Sequence, residues 1–168
     1  LILAVPALAA YLYMVLYSIP LVSSFAGGRQ LPDLLPLGYS PEYVRDLLDR
    51  LGEAGRHAYL WRQLPADFVY PGLFAVTLSL LAYYLVGKTS RMGGNAKYVV
   101  LLPLAAGFFD YCENLGLVSL LLRYPRVADL HIRITEGFTL LKSGFSTLSF
   151  IALASLVLLL LARAIKPK

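Results

Sequence analysis

The sequence predicts an all-α integral membrane protein: a four-transmembrane-helix bundle with an amphipathic helix in its first long connection. Two observations carry this. The chain of 168 residues is 58% hydrophobic and only 15% charged, with a mean hydropathy of +0.67. A soluble domain is nearer about 45–50% apolar and about 25% charged. The excess also lies in long blocks rather than being spread along the chain. A span needs roughly 20 mostly apolar residues, and four blocks meet that length: about 1–25, 67–86, 98–122 and 132–164.

The first block is expected to be a retained span rather than a cleaved leader. It is long for a leader's apolar core, shows no basic flank, and carries Tyr11, Tyr13 and Tyr17. The connection that follows, about 26–66, opens on the turn-forming run Gly27-Gly28-Arg29-Gln30-Leu31-Pro32-Asp33, which reads as irregular. Ser40-Pro41-Glu42 then reads as a helix start, with a serine cap, proline at the first position and an acid in the first turn. Tyr43, Leu47, Leu48 and Leu51 recur at helical spacing with charged residues between them, so an amphipathic helix is expected over about 41–52. It would lie in the membrane interface or cap the bundle. Gly52 or Gly55 should end or bend it. A second amphipathic stretch, about 56–64, carries Tyr59 and Trp61, aromatics that favour the headgroup level. Pro65 is expected to separate it from the second span.

Four spans put both termini and the connection around 87–96 on one side. Lys88, Arg91, Lys97, Arg163, Lys166 and Lys168 lie there without acids, which points to cytoplasmic termini. Arg123 and Arg126, directly after the third span, argue the other way.

The net charge of +5 is not a nucleic-acid footprint, since the basic residues sit at span ends and in loops. The single Cys112 lies within the third span and lacks the partner a CxxC redox site requires. His57 and His131 lie near span ends without a third ligand, so no metal site and no cofactor are expected.

The third span contains Asp110, Glu113 and Asn114 at i, i+3 and i+4, on one helical face. A carboxylate at such depth costs several kcal/mol unless paired, wetted or protonated, which marks a candidate functional site. The fourth span supplies Lys142. Counted from the shared end of these antiparallel helices at 1.5 Å per residue, Lys142 lies about 15 Å deep, Glu113 about 13 Å and Asp110 about 18 Å. A salt bridge to one or both acids follows. Asp67 and Tyr70 of the second span and Glu136 of the fourth belong to the same half of the bundle.

The leading expectation is a polar pocket for a lipid-like or isoprenoid-like ligand. Asp110 and Glu113 would be acid or base, Lys142 their charge partner, and Asn114, Asp67, Tyr70 and Glu136 secondary contacts. The partners would be membrane lipids or a hydrophobic small molecule. A non-catalytic structural or accessory subunit whose buried charges set helix register is the alternative. Proton-coupled transport is the third.

Overall fold

A computed structural model describes residues 3–89 and 95–165. Leu1, Ile2, Arg91, Lys166 and Lys168, used above for the first span and for orientation, lie outside the described residues, as does the side chain of Lys97. Among the described residues there is no strand. Three helices are long and apolar enough to cross a membrane by length and composition.

Helix α1 runs over Ala4–Phe25 and widens into a π turn at Met14–Ser18, where the Ile19 N–H bonds the Met14 carbonyl. The cause is Pro20, just downstream. Proline has no N–H to give and its ring crowds the carbonyl four residues earlier, here Leu16, so the chain leaves the i→i−4 ladder ahead of it. A 3₁₀ turn at Pro32–Leu34 follows.

Helix α2, Pro41–Ala58, starts as the sequence implies, with Ser40 Oγ accepting from the Tyr43 N–H at 3.2 Å. Its stripe is buried: Val44, Leu47, Leu48 and Leu51 pack with Val22, Leu31, Leu120 and Ile132 in the main apolar core. The helix therefore caps one end of the bundle. Gly52 bends it, with φ at +58°, a left-handed value that side-chain-bearing residues avoid.

The second amphipathic stretch is not separate from the second span, contrary to the sequence reading. The chain stays helical through a π turn at Tyr59–Gln63 into α3, Leu64–Thr89. Pro65 does not interrupt it. The π turn again precedes the proline, and Leu64 N–H bonds the Tyr59 carbonyl, so the turn absorbs what Pro65 would otherwise break.

A 3₁₀ segment at Asn95–Val100 leads into α4, Leu101–Arg123, and a short loop returns the chain into α5, Asp129–Ile165. Helix α4 packs between α3 and α5, while α1 lies against α3. Glycines permit the closest approaches: a Cβ at Gly107 would meet Ala75 and the Pro71 carbonyl, and one at Gly116 would meet Thr135. Helix α4 is long enough to cross a membrane, but its acids and amide lower its apolarity, so it is not among the three. The main core sits beneath α2, and a smaller one of Ala82, Leu85 and Leu153 lies at the opposite end.

Candidate functional site

The spacing within α4 sets the first half of the site. Asp110, Glu113 and Asn114 all point inward, with Glu113 and Asn114 fully buried and Asp110 nearly so. Lys142 of α5 lies between the acids, its Nζ 3.1 Å from Asp110 Oδ1 and 2.5 Å from Glu113 Oε2. Thr139, one turn away on α5, sits 2.5 Å from Glu113 Oε1. Tyr39, from the connection ahead of α2, places its hydroxyl 3.1 Å from Thr139 Oγ1. Burial pushes the Tyr39 phenol up, so it remains a donor. With Tyr39 donating to Thr139 and Thr139 to Glu113, both Glu113 oxygens have partners.

Asn114 has a different task. Pro71 lies inside α3 and offers no N–H to the carbonyl of Asp67, four residues earlier. Asn114 Nδ2 donates to that carbonyl at 2.9 Å. The amide thereby ties α4 to the weak point of α3.

The second half of the site centres on Asp67, which is buried on the inner face of α3. Asp67 Oδ2, Asn114 Oδ1 and Thr77 Oγ1 are buried without a hydrogen-bond partner. Such atoms are costly to leave unmatched, by about 1–3 kcal/mol each.

Asp67 borders a half-open cavity of about 300 Å³ between α1, α3, α4 and α5. Asp33, Asp67, Asp110, Lys142, Gln63 and Tyr70 form its polar wall, and Met14, Val15, Ile19, Phe74 and Phe150 its apolar one. A separate, more open groove of about 240 Å³ lies between α1 and α3; it shares Tyr11, Tyr70 and Phe74 with the cavity wall and is otherwise lined by Ala4, Ala7, Leu8 and Thr77. The Tyr70 ring, in contact with Tyr11 and Phe74 at centroid distances of 5.8 and 5.2 Å, forms part of the shared wall.

The fold thus brings Asp110, Lys142, Asp67 and Tyr70 to one cavity and keeps Glu113 and Asn114 behind its wall. Glu136 is not brought there. It is half-buried beside Gly38, whose added Cβ would lie 2.6 Å from Glu136 Oε1. His57 is exposed and its ring lies tilted beside Trp61, at a centroid distance of 6.4 Å.

Sequence reasoning missed several participants. Asp33, assigned to an irregular stretch, turns its carboxylate into the cavity wall, accepting from the Tyr59 hydroxyl at 2.8 Å and lying 3.5 Å from Gln63 Nε2. Ser18 Oγ donates to Gln63 Oε1 at 2.5 Å. Ser18 and Gln63 close the two π turns, so the widened segments of α1 and the α2–α3 junction are hydrogen-bonded to each other. The available signal was Pro20 and Pro65, each two residues after one of these polar residues. Comparison of the chain with protein-family models, curated proteins and solved structures gives no match.

Proposed function

We propose that the chain is a four-span membrane bundle whose cavity receives the polar end of a lipid-like molecule. The four spans in this reading are α1, α3, α4 and α5. Helix α4 has 23 residues, about 35 Å at 1.5 Å per residue, enough for a hydrocarbon core of about 30 Å. Its polar face turns inward, so the acids that reduce its apolarity do not meet lipid. The basic residues Lys88 and Arg163 favour cytoplasmic termini.

One observation carries the ligand reading: the buried side chain of Asp67, one oxygen of which has no partner, borders a cavity with room for a guest. Asn114 Oδ1 is unmatched too, but behind the wall; what sets Asp67 apart is that its side chain borders open volume from which a guest can approach. The groove between α1 and α3 supplies a lateral route from surrounding lipid. Asp67 and Asp110 meet the guest's polar end, with acid–base exchange falling to Asp110 because Glu113 is withdrawn and Lys142 is held between Asp110 and Glu113. Glu113 and Thr139 position Lys142.

A second reading, in which the charges only fix the register of α4 on α5, is favoured by the complete pairing of Glu113. It accounts for Glu113 and Lys142 but leaves Asp67 and the cavity without a role.

The test is native mass spectrometry of the full chain released from nanodiscs doped with single-chain lipids of cationic, neutral and anionic head. Wild type should retain about one lipid molecule per chain. Ser146→Phe, which fills the cavity from α5, should lose it without a change in melting temperature. An equal lipid complement in both proteins, or none in wild type, would overturn the proposal.

A further inference from the structure

The charge balance of the cavity specifies what kind of polar end it accepts. Asp33, Asp67 and Asp110 line it against Lys142, and Lys142 is already shared between Asp110 and Glu113. Asp33 accepts from the neutral donors Tyr59 and Gln63, and Asp67 Oδ2 accepts from nothing. An anionic head would add to this excess, and a neutral hydroxyl would supply a donor without offsetting charge. A protonated amine supplies both, in a site where charge-assisted bonds are the stronger class. We infer that the cavity binds a single-chain aliphatic amine, its ammonium at Asp67 and Asp33 and its hydrocarbon tail in the groove between α1 and α3. This rests on the cavity being a binding site, as proposed above.

The tail assignment comes from the groove's direction and length. It adjoins the cavity at Tyr11, Tyr70 and Phe74 and extends to Ala4 and Thr77. From Asp67 to Thr77 along α3 is about 15 Å at 1.5 Å per residue, which suits a chain of about a dozen carbons. Among the described residues, a further groove past Phe68, Gly72, Val76 and Tyr111 shares no lining residue with the cavity, so it gives a second acyl chain no bed beside the polar wall. The small side chains of Ala4 and Ala7 keep the groove open on the α1 side.

The experiment compares dodecylamine, dodecanol and dodecanoate on the detergent-solubilised full chain by native mass spectrometry. Partition into micelles is common to wild type and variants, so each ratio between them isolates the site. Dodecylamine should bind wild type about tenfold or more tighter than dodecanol, the range expected for one charge-assisted hydrogen bond, with dodecanoate weakest. Asp67→Asn should remove that preference while leaving dodecanol within about twofold. Should Asp67→Asn fail to fold, Asp33→Asn carries the same expectation. Ala7→Phe, which narrows the groove, should weaken dodecylamine but not hexylamine. Equal binding of amine and alcohol, or an amine preference that survives Asp67→Asn and Asp33→Asn, overturns the amine assignment alone. Failure of all three probes to bind removes the cavity's ligand role as well.

Discussion

Removing the Lys142 charge should destabilise the bundle more than removing either acid it serves. In wild type the ammonium lies 3.1 Å from Asp110 and 2.5 Å from Glu113. Two opposite charges about 3 Å apart attract by about 5 kcal/mol at an effective dielectric constant of 20. Most of that is offset by desolvation, several kcal/mol per ion. What survives substitution is the asymmetry. Lys142→Met, close in shape, leaves two carboxylates without a counter-ion, and breaking a buried pair in this way costs about 3–5 kcal/mol. For a chain of this size that lowers the melting temperature by about 6–20 °C, from roughly 2–4 °C per kcal/mol. Asp110→Asn leaves Lys142 paired with Glu113, and the cavity beside it can admit water, so its cost should be about 1–2 kcal/mol. The triple variant Asp110→Asn/Glu113→Gln/Lys142→Met leaves no charge in this cluster and should be more stable than Lys142→Met alone. Thermal unfolding in a mild detergent, followed by helical circular dichroism, gives the order. The reasoning is refuted if Lys142→Met melts with or above Asp110→Asn, or if the triple variant melts below Lys142→Met.

Two further predictions concern α3 and α4. Asn114→Ala should cost about 1–3 kcal/mol by exposing the Asp67 carbonyl. Adding Pro71→Ala should recover much of this, because residue 71 then has its own N–H for that carbonyl; a double-mutant cycle with no coupling would refute the link. A Cβ at Gly116 would stand 2.5 Å from Thr135 Oγ1, whereas nothing lies within 4 Å of one at Gly137. Gly116→Ala should therefore lose about 1–3 kcal/mol from overpacking, and Gly137→Ala should gain about 0.5–1 kcal/mol from helix propensity. Equal melting temperatures for the two variants would count against the close contact of α4 with α5.

The sequence made the contact of Lys142 with Asp110 and Glu113 legible because both helices are regular. A constant rise converts sequence position into depth, and the i, i+3, i+4 spacing fixes a common face. Where backbone regularity stops, that arithmetic stops too. Asp33 reaches the cavity only because the path after α1 folds back under Tyr59 and Gln63, a tertiary event with no local period. Pro65 reads as a breaker by composition, yet a proline breaks a helix only where its N–H is required. The π turn at Tyr59–Gln63 removes that requirement. Glu136 shows the opposite failure: it belongs to the same half of the bundle as Lys142 and lies six residues before it, but sits at the level of Gly38, outside the cavity. A stripe on a long helix passes several neighbours in turn, and sequence does not say which of them a given turn faces.

The two hydrogen-bonded π turns each hold a spare residue. Each carries one residue more than an α-helical path would need. Deleting a single residue from Met14–Ser18 would therefore restore an ordinary helix without turning the two halves of α1 against each other, whereas the same loss from an unbroken α-helix would rotate everything before it by about 100° about the axis, at 3.6 residues per turn. Tyr11, Ala7 and Ala4 would stay on the groove and Val22 in the core. What the deletion would remove is the wide turn itself, which Ser18 and Gln63 hold against the matching turn across the interface.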